Sequence, residues 1–198
     1  MGILMAGGFF EYGWEKRKTM SEYAESSIEN EEMVPFDRKS VFLEVSIGAQ
    51  TLSLINQGEV LKSYPVSTAK NGPGEQRGSE CTPRGWHVVR AKIGEGQPLY
   101  SVFIGRRPTG EVYSPELGLS YPQRDWILTR ILWLGGLESG KNRYGPVDSA
   151  WRYIYIHGCP DESMRGRPES HGCIRMHNAD VLDLFERVTA GVRVFIHE

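Results

Sequence analysis

His157-Gly-Cys-Pro-Asp-Glu-Ser-Met-Arg-Gly-Arg-Pro-Glu-Ser170-His171-Gly172-Cys173-Ile174-Arg175-Met176 is the stretch from which the rest of the chain is read. It starts at the end of an apolar, strand-like run, Trp151-Arg-Tyr-Ile-Tyr-Ile156, crosses a loop rich in Gly, Pro and charge, and closes on Ser-His-Gly-Cys. A thiol nucleophile needs a proton acceptor, donors for an oxyanion and a backbone that exposes the sulfur. An ordinary cysteine titrates near 8.5, so only a few per cent is thiolate at neutral pH. In this stretch either His157 or His171 can serve Cys173 once the loop folds back. Gly172 lets the backbone approach a ligand closely, and the amides of Gly172 and Cys173 are candidate oxyanion donors.

Two other readings use the same residues. The paired triplets His157-Gly158-Cys159 and His171-Gly172-Cys173 offer four soft ligands for zinc. Ligand pairs in zinc sites lie two to five residues apart, and a single intervening residue makes chelation of one tetrahedral ion awkward. A buried structural cysteine is the ordinary role of a lone Cys. It fits Cys159, which lacks the Ser-His-Gly context, better than Cys173.

Read as a whole, 157–176 resembles the signature of the L,D-transpeptidase catalytic domain (YkuD-type) family: a histidine and then, after a loop, Ser/Thr-His-Gly-Cys followed by Arg or Asn. The resemblance implies a thiol enzyme that forms acyl-enzymes with peptidoglycan stem peptides and uses no cofactor. Carried over position by position, the nucleophile falls on Cys173, the proton carrier on His157 and the oxyanion region on His171-Gly172-Cys173. Ser170, Arg175, Trp86 and Tyr155 are the expected substrate contacts. A weaker pattern supports it upstream, Ser67-Thr-Ala-Lys70 followed by Thr82-Pro-Arg-Gly-Trp86. Here a tryptophan replaces the commoner Phe or Tyr, and residues 71–81 form a longer loop carrying Cys81. The family implies an antiparallel β-sandwich with a few helices, covering roughly residues 40–197.

The residues lead independently to a mainly β fold. Val41 to Ile47 alternates, with Leu43, Val45 and Ile47 on one face, and two further strands follow short turns at 48–50 and 56–58, predicting a meander. Residues 87–90 and 99–104 read as strands, 105–110 as a turn whose Arg106 and Arg107 decorate the surface. Trp126 to Leu134 is too apolar for either period, so buried strand and helix both stay open. Tyr121, Trp126, Trp133 and Tyr144 are assigned to the core or a groove wall, and His87 to the scaffold. Asn178 is the expected N-cap of a last helix burying Val181, Leu182, Phe185 and Val188, before a closing strand at 192–196.

At 198 residues and 39% hydrophobic the chain suffices for one core and a short appendage. A formal charge of -2 with no basic stripe argues against a nucleic-acid partner, and no run approaches the ~20 apolar residues of a membrane span. Residues 1–38 read as a charged arm, helical or disordered, ahead of a domain at 39–198, with Met20 an alternative start. The apolar opening lacks a basic n-region and a cleavage site, which predicts a cytoplasmic protein rather than a periplasmic one. The function expected is an L,D-carboxypeptidase trimming recycled muropeptides. The alternatives are an envelope cross-linking transpeptidase and an inert binding or zinc-holding sandwich.

Overall fold

A computed structural model describes residues 41–198. The expectations for the arm at 1–38 and for the chain start lie outside them. The meander forms as read: β1 (Phe42–Ser46), β2 (Thr51–Asn56) and β3 (Glu59–Pro65) pair antiparallel in sequence order. Leu43, Val45, Leu52 and Leu54 are buried on one face. Next come β4 (Gly85–Ile93), β5 (Ser101–Ile104) and β6 (Arg107–Val112). The turn expected over 105–110 is only two residues long. Gly105 and Arg106 have φ of 55° and 66°, the left-handed pair that matches the twist of a tight hairpin, so pairing resumes at Arg107.

A short helix, α1 (Pro115–Ser120), precedes β7 (Ile127–Gly136). The ambiguous apolar run is therefore a strand. It pairs along its edges with β4, β5 and β8 (Tyr155–Gly158). Both of its faces are packed: Leu132 and Leu134 enter the main core while Ile131 packs with Phe103 and Tyr155, and a strand buried on both faces loses its alternation. Strand β9 (Ile174–Met176), helix α2 (Asn178–Arg187) and β10 (Arg193–His197) complete the order.

The mainly β architecture agrees with the sequence, but strict antiparallel order does not. The sheet is mixed, because β1 runs parallel to β10 and β8 parallel to β9. Its strand path is β3-β2-β1-β10-β4-β7-β5-β6, with β8 and β9 branching from β7. Just past β3 the chain meets β9: Ser67 and Arg175 exchange two backbone hydrogen bonds of 2.9 Å each. This links the meander to the β8–β9 pair around the main apolar core, which also takes up Val181, Leu184, Phe185 and Val188 of the α2 segment. Leu184, not Leu182, is on the buried face, because Val181, Leu184, Phe185 and Val188 recur at the helical spacing of one face.

Candidate active site

Parallel pairing of β8 with β9 sets His157 opposite Arg175 and brings Cys173, one residue ahead of β9, to the same edge. A cleft of about 520 Å³ opens there, and Cys173, His157, Tyr155, Ser170, His171 and Arg175 all line it. Six of the eight expected site residues are thus together; Gly172 stands beside them in the turn. Trp86 is elsewhere, its ring 4.6 Å from that of Phe195 and 6.0 Å from that of Phe42. It serves the sheet, not a substrate.

The nucleophile turn is held from three sides. Ser170 Oγ donates to the Cys173 carbonyl (2.6 Å) and accepts from the Gly172 amide (3.2 Å). Its hydroxyl is thus engaged in shaping this turn, at the wall of the cleft. Thr82 Oγ1 donates to the Gly172 carbonyl (3.0 Å) while accepting from the Ala69 amide. Thr68 O receives the amides of Glu169 and Ser170. The Ser-Thr-x-Lys and Thr-Pro segments therefore cradle the nucleophile loop. Gly172 itself has φ of 129°, and a Cβ there would lie 3.3 Å from the Cys81 carbonyl oxygen. Gly172→Ala is expected to cost about 1–3 kcal/mol in backbone strain and, by displacing the thiol, to lower turnover at least tenfold. Urea melts and initial rates check both; near-normal rates would mean that the turn tolerates a side chain.

The proton chemistry follows from His157. Its Nδ1 lies 2.7 Å from the Gly158 carbonyl oxygen. A carbonyl only accepts, so Nδ1 carries the hydrogen and Nε2 is left as the base. Gly158 must be glycine, because a Cβ would stand 2.6 Å from Asn178 Oδ1 and 2.8 Å from the Leu128 carbonyl. Burial lowers His157 to about 4 against the partial offset of Asp125. Burial likewise pushes Cys173 up to about 12, with the Tyr155 backbone N–H, Arg175 and Arg152 pulling the other way. Cys173 packs against Phe103, Ile131 and Tyr155, which is why desolvation wins. Both shifts favour a neutral thiol and a neutral imidazole at rest over an activated thiolate.

His87 is also buried and lowered to about 4 by desolvation, with Nδ1 on Gly85 O and Nε2 on Ser149 Oγ. It is scaffold, as read. In the unfolded chain both histidines take a proton near pH 6.5, whereas the folded protein refuses it until about 4. Stability is therefore expected to fall on acidification from about 6.5 to about 4, each histidine adding at most about 1.4 kcal/mol per pH unit. Denaturant melts across that range test it, and His87→Gln should flatten the slope. A flat wild-type profile would show that neither histidine is held neutral.

Beyond the expected residues, Arg106, Asp125, Arg152 and Tyr153 also line the cleft. Arg106, aimed inward by its tight turn, donates to Tyr155 Oη (2.9 Å) and lies over the rings of Trp133 and Tyr153. Arg175 pairs with Asp125 (2.6 Å) and reaches the Glu169 carbonyl. Arg152 is pinned to the carbonyls of Gly74, Glu75 and Cys81. The run 151–156 was read as a strand, but β8 starts only at Tyr155. Tyr153, at φ 58°, turns its carbonyl toward the Cys173 thiol, 3.5 Å away. No periodicity marks such a turn in sequence. Trp126 packs edge-on against Tyr113, Trp133 carries Arg106, and Tyr121 and Tyr144 are exposed outside the cleft lining.

The zinc reading fails on geometry. Cys159 is buried with its thiol between the carbonyls of Pro160 and Met176, while His171 sits exposed at the rim. No group of three or more His, Cys, Asp or Glu gathers among the described residues. Asn178 is not a cap either. It is the first residue of α2, and Asp161 Oδ1 accepts its amide (3.0 Å) from outside the helix. The Asn178 side chain instead ties Thr129 to the Cys159 carbonyl.

The L,D-transpeptidase catalytic domain (YkuD) family profile matches residues 40–196. The chain belongs to this family. It is 49% identical over 145 residues to YqjB of Bacillus subtilis, covering 73% of this chain and 64% of that protein. It is 28% identical over 160 residues to YkuD of the same organism, covering 78% and 65%. This family member thus spans slightly less than two thirds of either relative. Among solved structures, Bdellovibrio bacteriovorus Bd1075 aligns over 82% of this chain and 48% of its own at 14% identity, with a TM-score of 0.50. The Ldtfm–avibactam carbamoyl enzyme aligns over 82% and 50% at 15% identity, also at 0.50. These structures bear on the L,D-transpeptidase fold alone. No helix among the described residues is long and apolar enough to cross a membrane.

Proposed function

We propose that Cys173 and His157 perform acyl transfer on peptidoglycan stem peptides at the bond from the L-centre of diaminopimelate to D-alanine, with water as the final acceptor. The observation that carries the acyl-transfer reading is the junction of β8 and β9, which places a thiol and a tautomer-fixed imidazole in one cleft. As the Cys173 sulfur bonds to the carbonyl carbon, its proton passes to His157 Nε2. The Cys173 amide, which has no acceptor among the described residues, faces the developing oxyanion; the Gly172 amide, already bound to Ser170, does not share that role. The C–N bond then breaks, and the D-alanine nitrogen takes the proton from Nε2. Water next gives a proton to Nε2 and bonds to the acyl carbon, the C–S bond breaks, and the sulfur recovers its proton. Because the resting pair is neutral, proton transfer accompanies attack rather than preceding it.

Charge supports both the substrate and the acceptor. Arg106, Arg152 and Arg175 face the cleft against one carboxylate, Asp125. That balance favours an anionic stem peptide and disfavours a second ammonium group, whereas water is indifferent to it. Purified protein is expected to convert disaccharide-tetrapeptide to tripeptide and free D-alanine, with less than about a tenth as cross-linked dimer even when an acceptor amine is added. Mass spectrometry of the products checks this. Predominant dimer would assign the chain to cross-linking instead.

A further inference from the structure

Beside the cleft lies a second depression of about 190 Å³, sharing Arg152, Tyr153 and His171 with it. Trp151 borders it and is 67% exposed. Its indole makes no hydrogen bond or ring contact among the described residues. A lone exposed aromatic is ordinary on a protein surface, but this one is presented on a rigid support. Asp148 Oδ1 accepts the amides of Ala150 and Trp151, Asp148 O accepts that of Arg152, and the Arg152 guanidinium is anchored inward on three carbonyls. Tyr153, half exposed, adds a second ring two residues on. Arg77 and Glu80 border the same depression; both are exposed, and neither forms an ion pair among the described residues.

Aromatic faces beside unpaired hydrogen-bonding groups match one class of ligand. The C–H face of a pyranose stacks on an aromatic ring, while its hydroxyls and acylamino group need donors and acceptors around the edge. We propose that this depression binds the sugar ring that carries the stem peptide, so that the substrate is a saccharide-linked peptide rather than the bare peptide. The inference rests on the acyl-transfer reading above. Two residues separate the sugar from diaminopimelate, and three extended residues span at most about 10 Å. The two depressions share Arg152, Tyr153 and His171, so a sugar in one adjoins a peptide in the other.

The test compares kcat/KM for disaccharide-tetrapeptide and for the free tetrapeptide. Wild type is expected to prefer the saccharide-linked substrate by about tenfold, the equivalent of one aromatic stacking contact. In Trp151→Ala the ratio should approach one, and Trp151→Phe should keep most of it. A wild-type ratio of one overturns the proposal. So does an equal loss on both substrates in Trp151→Ala, which would mark a contact to peptide or acceptor. A second measurement is independent of turnover: the free disaccharide, titrated into Cys173→Ala protein, should shift the Trp151 indole N–H resonance saturably. If neither peptide is cleaved by wild type, the acyl-transfer reading fails and this titration alone decides. A saturable shift keeps the sugar site, and no shift removes it.

Discussion

Cys173→Ala is expected to reduce turnover by about a millionfold, to the detection limit, while leaving the fold unchanged. Removing a nucleophile from a cooperating set costs on this order. The substitution itself is mild, because the thiol contributes only partly buried packing and one weak contact to the Tyr153 carbonyl. Cys159→Ala is the informative control. That thiol is buried in a pocket of carbonyls, and burial raises it to about 12. Its loss should lower stability by about 1 kcal/mol and leave most of the turnover. Rates from both variants, with circular dichroism to establish folding, check the assignment. Measurable hydrolysis by Cys173→Ala well above background would remove the covalent mechanism.

His157→Asn is expected to lower kcat by about 10²–10⁴-fold, the range associated with losing a general base. Asparagine is chosen because its Nδ2 sits where the imidazole Nδ1 does. The bond to the Gly158 carbonyl is retained and only the proton-accepting nitrogen is lost. The variant therefore separates a chemical role from a scaffolding one. Added imidazole should restore part of the rate. A variant that keeps more than about a tenth of wild-type kcat would leave His157 as packing. Alkylation gives a companion reading on the wild type. With the thiol raised by burial to about 12, the rate of Cys173 modification by iodoacetamide should climb with pH through 9 without a plateau. A plateau below pH 8 would indicate an activated thiolate in the resting protein.

Asp125 and Arg175 add a check on the charge argument. Their 2.6 Å pair stands at the cleft with Asp125 half exposed, and Arg175 also holds the Glu169 carbonyl that leads into the nucleophile turn. Arg175 therefore both braces the loop and contributes positive charge at the cleft.

The local chemistry of this protein was legible in one dimension wherever it depends on residues close in sequence. The Ser170 hydroxyl ties the Ser170–Cys173 turn locally, although Thr68 and Thr82 complete its support from far along the chain, and the β1–β3 meander follows from alternation and short turns. What the sequence left open are the features created by strands distant along the chain. Strand β7 hides its period because separate apolar clusters pack on it, Leu132 and Leu134 in one and Ile131 in another. The parallel β8–β9 pair, which puts Cys173 beside His157, is a long-range choice. Arg106 reaches the cleft across the β5–β6 hairpin, and Trp86 is taken from it by the pairing of β4 with β10. The burial that favours neutral Cys173 and His157 likewise arises only in three dimensions. A pKa is set by what surrounds a group in space, and for Cys173 that is Phe103 from β5, Ile131 from β7 and Tyr155 from β8. Spacing singled out the candidate nucleophile, and tertiary burial shifts its pKa.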